Sequence, residues 1–577
     1  MSTDVQFVTI VHRLTTLCPS HASVVKIVQL QNLRLLPAFV TGVAAFLLAA
    51  SGINHGLVDS SLPNGPGLTT DESIDIRQGN YLFESFLQYG PLMLLPGKAQ
   101  EIYSRSGYIA DRPPLGRFLL GAAHGLTSWA ISGAELSIVN VPAARLAAAG
   151  GLSVTVFLMM FWTAGRYGTV TAILCGVLYL LMPRVIGHSR IAALETLTTL
   201  AWFAAVLPLL VWWTTDRPPT NRQSLICGLM WGILMLVKIQ GVFLLPMITL
   251  YSLAMFRWRA ILPLSVILIT GLVVFYCGWP WLWLDSVENT TSYLMSTTDR
   301  DTVHNWYLGR RYEDKATPWH YPFVMMAVTL PLHTICSFGI RLVHRRLDAV
   351  ERLLLLSVAL PLIVFAIPGT PVYDGTRLFL FVMPAVAILG ARGLTLWGRS
   401  VQSSLPELKQ GSRDFRFPRP LALVISLLLI ADVVLTISEL GPFAGDAYNS
   451  GVRLLDPGGE TFESCYWGDA LNGEFWEQVP EGSTVAVAPV LHPVLLQDMM
   501  TMIPIIRQRQ IQLEPFEYEP DEQRGLVLLL HRLADLPPGL RTPPPDNQPL
   551  TETVLNGRVL ARLVDTTRST WLRKPHW

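Results

Sequence analysis

The sequence predicts a polytopic α-helical membrane protein of about 11–13 transmembrane helices with a small C-terminal α/β domain. Three observations predict it. Of 577 residues, 51% are hydrophobic and 15% charged, against about 25% charged in a soluble domain. Mean hydropathy is +0.40. Apolar runs close to the roughly 20 residues that a spanning helix needs recur from Leu35 to Ile437, and the composition then turns to Pro, Gly and charge. Lys+Arg number 43 and Asp+Glu 42, so no basic excess points to a nucleic-acid partner. Cys18, Cys175, Cys227, Cys277, Cys336 and Cys465 lie mostly inside apolar runs without a C-x-x-C pair, which argues against a disulfide framework and a zinc site.

The first apolar run, from Leu35 to Ile53, follows Arg13, Lys26 and Arg34. Ala49-Ala50-Ser51-Gly52 offers the small residues of a signal-peptide cleavage site, but the run is longer than such a segment's apolar region. It reads as an uncleaved span behind a cytoplasmic N-terminal segment, 1–34. Further runs lie at 116–131, 145–163, 168–186, 191–213, 224–237, 241–256, 260–284, 320–340, 353–368, 378–396 and 420–438. Short cytoplasmic loops collect Lys and Arg. Five connections do so, at Arg166, at Arg217 and Arg222, at Arg257 and Arg259, at Arg341 to Arg352, and at Arg399 to Arg419. All five share one side if the 116–131 run, interrupted by His124 and Gly125, is re-entrant or interfacial, or if a second crossing near 132–144 restores parity. About eleven net crossings then leave everything after 440 outside the cytoplasm.

The transmembrane region thus covers 35–440, with outer loops at 54–115 and 285–318. Ser73 to Leu87 sets Ile74, Tyr81, Phe83, Phe86 and Leu87 among polar residues, the pattern of an amphipathic interfacial helix. Residues 441–577 read as an extracytoplasmic α/β domain whose buried strands are 484–488, 526–530 and 559–564. No internal repeat and no paired broken helices are evident.

The unusual polar groups collect on the predicted outer face. Asp71 and Glu72 head the loop helix, where they suit capping and equally a general base near the membrane surface. In Asp111-Arg112-Pro113-Pro114 the prolines fix a helix start, and Arg112 offers a fork of donors to a phosphate. Arg190 and Glu195 stand at the end of an apolar run, as an ion pair or as part of a wet cavity. Lys238, at a hairpin turn, either snorkels to the interface or contacts phosphate. Asp374 and Arg377 mark a loop or a polar cleft, while Trp319 to Pro322 reads as a belt anchor. There is no Walker A sequence, no strand-placed G-x-G-x-x-G and no His-Glu-x-x-His.

At these residues the chain resembles the multi-spanning glycosyltransferases of the GT-C fold that use polyprenyl-phosphate-linked sugars, in the protein O-mannosyltransferase and aminoarabinose-transferase branch. Asp71-Glu72 matches the acidic pair after the first span. Asp111-Arg112-Pro113-Pro114-Leu115 is similar to a His-Pro-Pro-Leu element, with Arg112 in the histidine position. Arg145-Leu146, Gly165-Arg166-Tyr167-Gly168 and Ser189-Arg190 to Glu195 follow the helix pattern, Glu195 standing for the usual aspartate. Leu236-Val237-Lys238 with Gly241 resembles the Lys-containing turn. The likeness covers about 35–440, and Tyr466-Trp467-Gly468 is similar to outer domains of some members. It implies a polyprenyl-phosphate-sugar donor drawn from the lipid bilayer, a protein, lipid or glycan acceptor, and an inverting displacement on the extracytoplasmic face of the plasma or inner membrane. Asp71, with Glu72, is then catalytic, and Arg112, Arg190, Glu195, Lys238, Asp374 and Arg377 bind substrate. Some members use a divalent metal, for which Asp71, Glu72 and Glu195 are the oxygen donors. The alternatives are a transporter or flippase for a polyprenyl-linked or anionic solute, its path lined by Glu195, Lys238 and Arg377, and a non-catalytic scaffold.

Overall fold

A computed structural model describes residues 21–53, 65–105, 107–132, 139–296, 302–343, 346–403, 419–465, 468–489, 493–517, 525–541 and 548–567. Tyr466 and Trp467 lie outside them.

Among the described residues, five helices are long and apolar enough to cross a membrane: Arg34–Ser51, Val141–Tyr167, Leu194–Trp212, Ile239–Gly278 and Arg377–Arg399. The 40-residue Ile239–Gly278 stretch contains two helices, Leu244–Phe256 and Ile261–Gly278, hinged at Arg257–Ala260. Shorter apolar helices are Asn221–Val237 and Val424–Ile437. Leu36, Phe39, Leu47, Ile269, Val273, Leu428 and Val434 are all more than half exposed on these helices. Water would not tolerate such a surface, whereas hydrocarbon requires it, and the chain is a multi-pass membrane protein.

Two expected spans differ from the sequence reading. The 168–186 run is a broken pair, Thr169–Leu180 and Pro183–Ser189, bent by 70°, and the 320–340 run is Tyr321–Thr329 and Leu332–Val343, bent by 118°. Pro183 and Pro331 stand at the breaks, where each lacks the N–H that would continue the helix. The expected absence of paired broken helices is thereby corrected, because apolar periodicity reads through a proline bend.

Helices Thr70–Tyr89 and Pro114–Ser132 pack backbone to backbone. A Cβ at Gly79 would collide with the Arg117 carbonyl, and one at Gly121 with that of Gly79. This approach carries Asp75 to within reach of Arg117.

The C-terminal sheet has the order β4-β3-β5-β7-β6, with β3 at Thr484–Ala488, β4 at Gln512–Pro515, β5 at Leu526–Leu530, β6 at Thr551–Leu555 and β7 at Arg558–Asp565. β3 pairs in parallel with β4 and β5, and β7 pairs antiparallel with β5 and β6. The three predicted strands are the central ones, covered on both faces and hence nearly continuous apolar runs. The edge strands β4 and β6 alternate with polar residues and went unread. Also unread was the hairpin of β1, His304–Tyr307, and β2, Arg310–Glu313. It docks on the C-terminal region through Gly309 N to Thr461 O at 3.0 Å and Arg311 Nε to Ala534 O at 2.7 Å. One apolar cluster joins Leu68, Ile76, Leu194 and Val237 to Trp476, Met499 and Leu528, so the sheet region is seated on one end of the helices.

Candidate active site

The Thr70–Tyr89 helix begins one residue before Asp71. Two consecutive carboxylates at a helix start point about 100° apart, and here they meet different partners. Glu72 turns inward and is fully buried. Its carboxylate pairs with Arg145 at 2.7 and 2.8 Å and accepts the backbone N–H groups of Thr69 at 2.9 Å and Ala192 at 2.6 Å. Arg145 in turn donates to the carbonyls of Pro66 and Gly67 at 2.8 and 2.6 Å. This clamp joins the first loop, the Val141–Tyr167 helix and the chain before Leu194.

Asp71 keeps 21% of its side chain open. One carboxylate oxygen accepts from Arg112 at 2.8 Å, and the other pairs with Arg377. Arg377 Nε also reaches Glu195 Oε1 at 2.8 Å, and its Nη1 reaches Asp374 at 3.1 Å. Lys238 Nζ approaches the same Glu195 oxygen at 2.7 Å. The second Glu195 oxygen is buried and has no hydrogen-bond partner among the described residues.

The backbone explains why these groups converge. Glu195 lies in the first turn of Leu194–Trp212. Lys238 is the extended residue closing Asn221–Val237. Asp374 is held at φ 54° in a loop fastened by Gly375 N to the Tyr321 hydroxyl at 2.9 Å and Asn305 Nδ2 to Val372 O at 2.7 Å. Asp374 also accepts from Arg532 Nη1 at 3.0 Å, just past β5. The C-terminal region thereby buttresses Arg377.

Arg112 bridges Asp71 and, at 2.6 Å, Asp75, and Arg117 bonds Asp75 at 2.8 Å and Asp111 at 2.7 Å. Burial works against the charge on Arg112, but Asp75, Asp111 and Glu195 outweigh it and hold the guanidinium above its ordinary range. Arg112 is therefore a permanent cation.

Asp71 and Arg377 line a narrow cleft of about 40 Å³, with Thr69, Thr70, His188 and Asp469 on its other walls. Asp469 is buried, and one of its oxygens has no hydrogen-bond partner among the described residues. Burial and the neighbouring carboxyl of Asp446 push Asp469 well above the usual carboxylate range. Like charges at close quarters cannot both ionise cheaply, so the Asp446–Asp469 pair resists carrying two negative charges.

Of the residues expected from sequence, Asp71, Arg112, Glu195, Lys238, Asp374 and Arg377 meet in one network. Glu72 and Arg190 do not join it. The alternative Arg190–Glu195 pair does not form: Arg190 donates to the carbonyls of Leu440 and Gly441 at 2.8 and 2.6 Å. Asp75, Arg117, Asp469 and Arg532 were missed, and Arg145 was read only as part of the helix pattern. Asp75 had a signal, since it follows Asp71 by four residues on the same helix face. Arg532 had none, because its partner lies 158 residues away.

The proposed metal donors do not fit a cation. Among the described residues no group of three His, Cys, Asp or Glu side chains comes together to hold one. Asp71 and Glu195 face guanidinium and ammonium groups, and Glu72 is spent on Arg145.

No protein-family model and no curated protein matches the sequence. Among solved structures, ArnT from Cupriavidus metallidurans bound to undecaprenyl phosphate is 14% identical, with a TM-score of 0.45 over 94% of this chain and 99% of that one. Its apo form gives 14% identity and a TM-score of 0.43 over 96% and 100%. The Archaeoglobus fulgidus oligosaccharyltransferase in the apo form gives 13% and 0.42 over 85% and 69%.

Proposed function

We propose that this chain is a GT-C-type membrane glycosyltransferase that moves a sugar from a polyprenyl-phosphate donor to an acceptor hydroxyl of a protein, lipid or glycan. The supporting observation is the half-open carboxylate of Asp71 at the cleft, held between two guanidinium groups. In the proposal, cleft and residues 441–577 face the extracytoplasmic side.

The ion pairs suggest how the site is armed. With both oxygens on arginines, Asp71 is a poor base. A donor phosphate competes for Arg112 and Arg377, because a guanidinium fork matches phosphate as well as carboxylate. The exchange frees Asp71 to accept the acceptor's hydroxyl proton. The acceptor oxygen then bonds to the anomeric carbon as the carbon–oxygen bond to phosphate breaks. The bonding pair leaves on the polyprenyl phosphate, where Arg112, Arg377 and Lys238 stabilise the developing charge. One displacement inverts the anomeric configuration. Glu195 and Asp374 hold Arg377 and Lys238 in place, while Glu72 and Arg190 serve the architecture.

The test is transfer from a polyprenyl-phosphate sugar in proteoliposomes. Wild-type transfer with an inverted product is expected, and Asp71→Asn should abolish it while donor binding persists. Near-normal transfer by that variant would remove the base assignment. The two broken helices favour the second reading, a transporter. Translocation of the donor without any glycosylated product would establish that reading and sink the first.

A further inference from the structure

A second cavity, of about 640 Å³, lies between the β1–β2 hairpin and the C-terminal sheet, apart from the Asp71 cleft. Its volume falls within the range of about 300–1,000 Å³ usual for small-molecule sites. Part of the wall is bare backbone: Gly309, Gly459 and Gly557 line it and adopt φ of 74°, 70° and 82°. Trp306 provides an aromatic wall, fixed by Nε1 to Glu460 O at 2.5 Å. Arg541 lies with its guanidinium carbon 4.1 Å from the Trp306 ring centre. Its nitrogens donate to the carbonyls of Leu536 at 3.1 Å and Leu533 at 2.8 Å, which sets the cation rigidly.

Two further cavity residues are built in with unmet polar capacity. His531 is 7% exposed and Arg562 8%. Among the described residues, the Nε2 of His531 and the Nε of Arg562 are buried without a hydrogen-bond partner, although Arg562 Nε has Glu552 at 3.2 Å as an ion pair. Burying nitrogen groups without hydrogen bonds costs free energy that a ligand would return. Burial first, and then Arg562 and Arg541, push His531 down to about 3, so its imidazole stays neutral beside the two guanidinium groups, which themselves feel Glu552 and, at Arg541, Glu463 and Glu460. Glu460, on the rim, is the facing carboxylate among the lining residues.

We propose that this cavity is a second binding site, for an anionic saccharide whose phosphate or carboxylate meets Arg541 and Arg562 and whose ring lies along Trp306. Two fixed guanidinium groups select the anion. The flat indole and the polar rim of Glu460, Thr461 and Ser464 suit a hydroxylated ring. Such a sugar arrives free or as the headgroup of a lipid. The site is independent of the transfer chemistry proposed for the Asp71 cleft.

Calorimetric titration of the purified full-length protein tests this. Glucose 1-phosphate in solution and phosphatidylinositol 4-phosphate in nanodiscs are the two probes, with glucose and inorganic phosphate as controls. At least one probe should saturate and weaken about tenfold or more in both Arg541→Gln and Arg562→Gln, with unchanged melting temperatures. Arg541 is the half-exposed member, so its variant remains informative if Arg562→Gln misfolds. Saturation by glucose 1-phosphate assigns a free sugar, and saturation by the nanodisc probe alone assigns a headgroup. Absence of saturable binding by either, or binding indifferent to the Arg541 substitution, overturns the site. Inorganic phosphate binding as tightly as the sugar phosphate overturns the saccharide assignment.

Discussion

Of the carboxylates that sit between two arginines among the described residues, Glu351 and Asp71 lie at opposite ends of the Ala349–Phe365 helix and the loop that follows it. At one end Glu351 is fully committed. It takes Arg341 at 2.7 Å and Arg392 at 3.1 Å through one oxygen, and Arg341 again and the Asp348 N–H through the other. At the other end, past the loop, Asp71 takes Arg112 and Arg377 but keeps a face on the cleft. The compositions are alike and the settings differ. A sealed ion pair holds helices together, and an open one can exchange partners. The difference between structure and chemistry therefore lies in whether a third charged group can reach the pair.

Substitutions can break or sharpen that contrast. The largest expected effect is on transfer: Asp71→Asn should lower it about 10²–10⁴-fold, as loss of a general base does. Its melting temperature should stay close to wild type, because the side chain is partly open. Glu351→Ala should do the reverse. Removing one member of a buried pair costs about 3–5 kcal/mol, so detergent-solubilised protein should melt much earlier, with activity per folded molecule kept. Glu72→Ala belongs with Glu351 on this view; a variant that folds normally but fails to transfer would return Glu72 to the chemistry. Arg377→Lys should reduce transfer about tenfold or more, since one ammonium cannot reproduce a fork shared by three carboxylates, and the loss should appear in kcat together with donor affinity.

The smallest effect concerns pH. Burial pushes the Glu463 carboxyl up to about 7, against the pull of Arg532 and the N–H groups of Ala534 and Leu533. Its folded state therefore keeps a proton that the unfolded chain gives up near 4.5. The resulting stabilisation is complete below that value and is lost as pH rises through 7. The melting temperature should decline between pH 5 and pH 8, and Glu463→Gln should flatten that decline; an unchanged slope would place the titrating group elsewhere.

Much of the arrangement was legible in the chain. Asp71, Glu195, Lys238 and Arg377 stand out because charge beside an apolar run is costly unless it has a partner, and that cost acts residue by residue. β3, β5 and β7 announced themselves as unbroken apolar segments. Glu72 was read together with Asp71 because adjacent carboxylates look equivalent in one dimension, and only the turn of the helix sends one inward. The broken helices escaped because hydropathy averages over a bend.

By itself the sequence determined that this protein spans a membrane many times, carries a sheet-bearing C-terminal region and must find partners for a small set of stranded charges. Hydrophobic burial and the cost of lone charge are local quantities, summed along the chain. Which charges pair, which oxygen stays open and which distant arginine buttresses the site were decided by the tertiary structure alone. Ion pairing depends on distance in space, and the contacts from Asp374 to Arg532 and from Glu72 to Arg145 bridge 158 and 73 residues that no periodicity connects.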